Sequence, residues 1–263
     1  MWLALAKRYI AISQPRQLWP EIPLDQHTSR ELEHLVLRWK SVKAGWAANR
    51  STAPIPGQRQ FLISEHSAPY VSPCLCLVEG GRWLLVGTSF GAVQYYDLNA
   101  TNITATTLIP PLFDGRAEVW LSIDMDSVAE SLKFQLGVLT RRRPDVDDRA
   151  YPHSPQYAWW IQVWQVTTDV DSLGCVRGLT SELKSSFREE YQPTCFSFRL
   201  RGRYVAYSLF YSDLQVGPLN HGHRVIIVDW TICTSTSLNY VRKSVSTKAS
   251  VSGPKFLSFR CGS

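Results

Sequence analysis

From about residue 70 onward, short apolar runs alternate with turns, and the pattern of run and turn recurs. The first unit has candidate strands at 71–78, 82–88, 92–98 and 103–109. Glu79-Gly80-Gly81 and Ser89-Phe90-Gly91 stand at its first two turns, where glycine supplies the positive φ of a tight hairpin. A second copy uses 117–124, 132–140, 159–167 and 175–179, with a long insertion at 141–157. A third uses 194–200, 204–211, 224–232 and 238–241, and 256–259 reads as the first strand of a fourth. The middle hairpins end alike, at Tyr96-Asp97-Leu98, Val163-Trp164-Gln165 and Val228-Asp229-Trp230.

Runs such as RWLLVGT and RVIIVDW do not alternate between polar and apolar, which predicts sheets covered on both faces. Stacked four-stranded antiparallel sheets meet that condition, and repeats of about 45 residues suit propeller blades better than a sandwich. The expected fold is therefore mainly β with an α-helical N-terminus. The β part is an incomplete β-propeller-like array of about three four-stranded blades. Such an array leaves two apolar blade faces open, so the chain is expected either to be a piece of a larger protein, a truncated product, which is the favoured reading, or to associate through those faces. The expected division is a helical linker region at 1–57 and a partial WD-repeat-like propeller at 58–263.

The front end reads as helix. Residues 1–13 carry Trp2, Leu3, Leu5, Tyr9 and Ile10, and Gln14-Pro15 stops them. Thr28 and Glu31 have capping-box spacing. Leu32, Leu35, Val36, Trp39, Val42 and Trp46 then follow at three- and four-residue intervals, a single apolar stripe. The expected partner of that stripe is the β region; the other reading is a rigid connector between the β region and a missing N-terminal module.

Two segments, ELEHLVLRWKSVKAGW at 31–46 and VEGGRWLLVGTSFGAVQYYDL at 78–98, resemble a family of F-box proteins of mushroom-forming fungi. In that family an F-box precedes a helical linker and a divergent WD-repeat, propeller-like region. Trp2-Leu3 is similar to the last turn of the F-box region. The resemblance implies the substrate-recognition part of a ubiquitin-ligase receptor. The F-box that docks on a Skp-type adaptor is expected before Met1, and later blades after Ser263. The regular histidine, serine and aspartate network of ordinary WD repeats is not evident.

Residues suited to chemistry are few. Cys74 and Cys76 share one face of a candidate strand, yet no His or Cys stands at metal-ligand spacing, so they read as buried thiols. His221 and His223 flank Gly222 in a loop, and Asp124 and Asp126 pair near a strand end, both readable as turn residues. Six cysteines form no CxxC pair or disulfide framework, and the apolar run at the start is broken by Lys7 and Arg8. These features predict a reducing, intracellular site, cytoplasmic or nuclear, with no membrane span. The sequons at Asn49, Asn99 and Asn102 are then unglycosylated. No phosphate-binding loop follows Gly80-Gly81. No catalytic, cofactor-binding or metal site is expected, and the chain reads as a non-enzyme.

The charge is +6 at pH 7, from 28 Lys+Arg against 22 Asp+Glu. The basic residues look scattered in sequence, apart from Arg141-Arg142-Arg143, which Asp145, Asp147 and Asp148 offset. The favoured function is thus a non-catalytic protein–protein interaction module with an unknown target protein. Trp159, Trp160, Tyr207 and Tyr211 are its candidate hot spots, although most are expected in the core. The alternative is a nucleic-acid-binding β protein that uses a basic, aromatic-rich surface. The serine-rich stretch 244–252 reads as a flexible connection.

Overall fold

The computed structural model describes residues 1–12, 20–48, 74–126, 128–142, 159–189, 194–211, 222–233 and 242–248. Two helices open the chain, α1 (Trp2–Ile12) and α2 (Ser29–Ala48), with a single 3-10 turn at Leu24–Gln26 between them. The capping box forms as its spacing predicts. Glu31 accepts from the Thr28 amide at 2.7 Å, and Thr28 Oγ1 accepts from the Glu31 amide at 3.3 Å. The Thr28 amide, then its hydroxyl, hold the Glu31 carboxyl below its usual range.

The partner of the α2 stripe differs from the expectation. Leu32, Leu35, Val36 and Trp39 pack on Trp2, Leu3, Leu5, Ala6, Tyr9 and Ile10 of α1, with Tyr9 stacked on Trp39 at 5.8 Å. The first helix is itself apolar along that side, so the two helices cover each other and form a small core of their own. The side chains of Val42 and Trp46 lie outside the description.

The rest is β. Strands β1 (Cys74–Leu77), β2 (Trp83–Gly87), β3 (Val93–Asp97) and β4 (Ala105–Ile109) form the first antiparallel sheet. The second sheet holds β5 (Ala117–Met125), β6 (Lys133–Arg142), β7 (Trp159–Val170) and β8 (Val176–Glu189). The third holds β9 (Thr194–Arg201), β10 (Tyr204–Tyr211), β11 (Gly222–Asp229) and β12 (Arg242–Lys248). Each is a simple meander in which neighbours in sequence pair.

Two strands depart from the reading. The sequence places the last strand of the second unit at 175–179, whereas β8 runs ten residues further, to Glu189. Its polar stretch SELKSS carries little apolar signal because β8 is the outer strand of its sheet, where Glu182, Leu183 and Lys184 are exposed. The last described strand of the third sheet is β12, so residues 244–248 of the stretch read as flexible pair with β11, and the strand expected at 238–241 lies outside the described residues. The segment 256–259 lies outside the described residues.

The sheets pack face to face in chain order. The first strands neighbour one another, β1 against β5 and β5 against β9, and β4 meets β8 at the opposite rim. Val78, Trp83, Leu85, Val93 and Tyr95 of the first sheet bury against Val119, Leu121, Phe134, Leu136 and Val138 of the second. The other face of the second sheet, with Leu139, Trp159, Ile161 and Val163, buries against Phe198, Leu200, Val205, Tyr207, Ile226 and Val228 of the third. Burial of each such side chain contributes roughly 1.5–3 kcal/mol.

Glycines let the sheets approach. An added Cβ at Gly87 would lie 2.7 Å from Val119 Cγ1, and one at Gly137 would lie 3.0 Å from Phe198 Cζ. The second sheet is therefore covered on both faces. Among the described residues the third sheet is covered on one face only, and Val225 and Tyr204 are exposed on its far face. No helix among the described residues is long and apolar enough to cross a membrane.

Candidate binding surfaces

An arginine–aspartate clamp recurs in the first and third sheets. Arg82 precedes the first residue of β2, and its guanidinium donates from Nε and Nη2 to Asp97 at 3.0 and 2.7 Å. Arg203 precedes β10 and holds Asp229 in the same way, with Nε to Oδ2 at 2.7 Å. The register makes these positions equivalent, since Trp83 pairs with Asp97 and Tyr204 with Asp229. In the second sheet Lys133 pairs with Thr167. The counterpart of the two aspartates is thus Thr167, three residues beyond the centre of the presumed match Val163-Trp164-Gln165, and the clamp is lost there. A sequence alignment by apolar residues alone slips past that difference because β7 continues to Val170.

The Arg82 clamp also fastens the helical segment. Arg82 bonds Glu21, and the Thr168 hydroxyl donates to the Glu21 carbonyl at 2.8 Å. Burial alone raises the Asp97 carboxyl, but hydrogen bonds from Arg82 and from the Asn99 amide outweigh it and hold the group below its usual range.

The residues singled out for chemistry are dispersed. Cys74 and Cys76 face the second sheet, where Cys74 Sγ accepts from the Leu121 amide at 3.3 Å. Burial pushes both thiols up; at Cys76 the neighbouring Cys74 adds to the rise and Arg199 opposes it. Asp124 ties the second sheet to the third by accepting from the Gly202 amide at 2.5 Å, whereas Asp126 pairs with Lys133 at 3.6 Å. They serve two different contacts. His221 and the side chain of His223 lie outside the description. No group of three or more His, Cys, Asp or Glu suited to a metal ion occurs among the described residues.

Of the four candidate hot spots, Trp159 and Tyr207 are core, and the Tyr207 hydroxyl donates to the fully buried Glu189 at 2.5 Å. The side chain of Tyr211 is outside the description. Trp160 differs: it is partly exposed at one end of the second sheet, with Phe113 6.2 Å from its ring and the Arg188 guanidinium 6.0 Å away. The register sets it opposite Thr140 and Arg188. The turn that carries Phe90 reaches the same end, since the Ala117 amide donates to the Ser89 carbonyl and a Cβ at Gly91 would touch Ala117 and Thr140. Phe90 is 50% exposed and Leu112 37%. This end of the first two sheets thus carries Phe90, Leu112, Phe113, Trp160 and Arg188 on strands and the segments that join them.

The second surface is the far face of the third sheet. Ser197, Arg199 and Arg201 of β9 face outward in alternation with buried Phe198 and Leu200. Arg201 lies across from Tyr204, Arg199 from Ala206 and Ser197 from Ser208, whose hydroxyls bond at 2.8 Å. Tyr204 is 47% exposed, and the Arg203 guanidinium sits 5.3 Å from its ring. Arg199 makes no ion pair among the described residues, and the Arg201 Nε stands 3.9 Å from Asp124 at the rim.

The sequence reading missed how much of the chain's charge falls in the third sheet as a whole, on its two faces together. The described residues of the third sheet and the turn after β11 hold seven Lys or Arg (199, 201, 203, 224, 242, 243 and 248) and one acid, Asp229. That net of six equals the whole chain's formal charge, so all other residues together are neutral. The signal is present in the alternation F-R-L-R-G-R-Y at 198–204, which spreads cations along a strand and hides them from a search for runs. Asp229 itself is held by the Thr231 hydroxyl, then its amide, and by Arg203, which together keep its carboxyl low.

No protein-family model, curated protein or solved structure matches this chain.

Proposed function

We propose that the chain is a non-catalytic protein-recognition module whose three sheets are blades of an incomplete propeller. The blade reading is supported by the neighbouring first strands, the meander order of each sheet and the recurring clamp. The observation that carries the binding role is the end of the second sheet, where partly exposed Trp160 has Phe113 and Arg188 near its ring and the turn that carries exposed Phe90 reaches the same end. Tryptophan and arginine dominate binding energy at protein interfaces, most of all when a rigid frame presents them. The resemblance of 31–46 and 78–98 to fungal F-box receptors gives this role a setting. The bound protein is a target for ubiquitin transfer, in the cytoplasm or nucleus, and a Skp-type adaptor joins only through an F-box ahead of residue 1.

A photo-crosslinking residue in place of Phe90, in cells that express the protein, tests the reading. A partner captured there, and lost with Trp160→Ala, is the expected result. The control is the same probe at Leu173, which is exposed in the turn between β7 and β8 at the opposite end. Equal capture at both positions, or none at Phe90, overturns the proposal.

A further inference from the structure

We infer that the open face of the third sheet binds single-stranded nucleic acid. The face has no covering sheet among the described elements, and Ser197, Arg199, Arg201, Tyr204 and Val225 are exposed on it. Arg199 and Arg201 stand two residues apart on one strand, about 6.7 Å along it. The ring of Tyr204 lies across from Arg201 and close to Arg203. Cations that follow a backbone, beside an aromatic ring on which a base can stack, are the two elements of single-strand recognition. Charge complementarity rests on exposed Arg199 and Arg201 on this face and on Arg203 beside it, while the sheet's one carboxylate, Asp229, is occupied by Arg203 and Thr231.

The chemistry favours a single strand over the other polyanions. The face of a four-stranded sheet offers no helix or two-stranded ribbon to enter a duplex groove, so a paired helix would meet only its rim. An acidic polypeptide would satisfy the guanidinium groups but leave the tyrosine ring without a stacking partner. The apolar flank of the face, Val225 and Ile227, suits a base edge better than a row of carboxylates. Two independent surfaces result, since this face lies on the side of the third sheet away from the second sheet that carries Trp160.

Fluorescence anisotropy of a labelled single strand of about 16 nucleotides, DNA or RNA, with the full chain is the test. About three phosphate contacts give a salt slope near −2, hence a roughly fifteenfold loss of affinity between about 50 and 200 mM salt. Tyr204→Ala is expected to weaken binding roughly tenfold. Arg199→Ala and Arg201→Ala should each lower the slope by about 0.7. All three positions are exposed, so the variants keep their fold, which circular dichroism checks. Arg177→Ala, which removes an equal charge from β8, should leave the slope unchanged. No binding at low salt overturns the inference. So does binding that the three variants leave intact, equal binding of duplex, or displacement by polyglutamate with no effect of Tyr204→Ala.

Discussion

Gly87→Ala tests whether the first and second sheets are in the contact that the blade reading requires. The new Cβ would sit 2.7 Å from Val119 Cγ1 and 2.9 Å from Val119 Cβ. Carbon atoms in contact prefer about 3.5–4.0 Å, so roughly 1 Å must be recovered. Rotation of Val119 relieves only the Cγ1 contact, because its Cβ is fixed to the backbone of β5. Sideways relief is limited by Cys74 Cβ at 3.5 Å. Overpacking of this kind costs about 1–3 kcal/mol. Replacing glycine also restricts the unfolded chain, a gain of about 0.4–1 kcal/mol. The expected net is a destabilisation of about 1–2 kcal/mol.

Urea denaturation followed by tryptophan fluorescence measures it as a lower midpoint with an unchanged slope. The decisive variant is Gly87→Ala with Val119→Ala. Removing both valine methyls opens the site, so the double variant should be more stable than the sum of the singles, with a coupling of at least about 0.5 kcal/mol. Strict additivity, or a neutral Gly87→Ala, refutes the contact between β2 and β5 and with it the stacking of the two sheets.

Two further outcomes are expected. The Asp97 carboxyl is held below its unfolded value, so its bond to Arg82 stabilises the fold above about pH 4 and is lost as pH falls through the lower, folded value. Asp97→Asn should therefore flatten the acid limb of a plot of Tm against pH, and a limb that keeps its wild-type steepness counts against the clamp. Burial, with Asp229 adding to it, pushes the Cys233 thiol up to about 11, while Cys175 is exposed. Timed alkylation near pH 8, read by mass spectrometry, should modify Cys175 well before Cys233, Cys74 or Cys76; equal rates for Cys175 and Cys233 would contradict the packing.

Local chemistry made most of the architecture legible. The glycines at 80, 81 and 91 have positive φ in the structure, as tight turns require, and they locate the hairpins of the first sheet. Ten of the twelve strands coincide, over most of their length, with the apolar runs that announce them, because each carries at least one face into a core. The two strands that differ from the reading, β8 and β12, are outer strands of their sheets, and in β8 the exposed residues Glu182, Leu183 and Lys184 show how the apolar pattern fades there. The α2 stripe was visible, but a stripe states only that a face is buried. Its partner, α1, depends on tertiary packing that periodicity does not encode.

The surfaces were harder to read for the same reason. Trp159 and Trp160 are adjacent and chemically identical in sequence, and β pleating alone sends one into the core and the other to the rim. Alternation likewise decides the meaning of Arg199, Arg201 and Arg203. In sequence they are three separated cations in a chain of modest charge. Once Phe198 and Leu200 turn inward, Arg199 and Arg201 must share the opposite face, and the turn at Gly202 brings Arg203 back beside Tyr204. Each strand that buries a regular apolar row also presents a regular row of its remaining residues, so the step that closes the core fixes the charged surface. A substitution that shifted β9 by one residue would send those arginines inward and lose fold and binding face together.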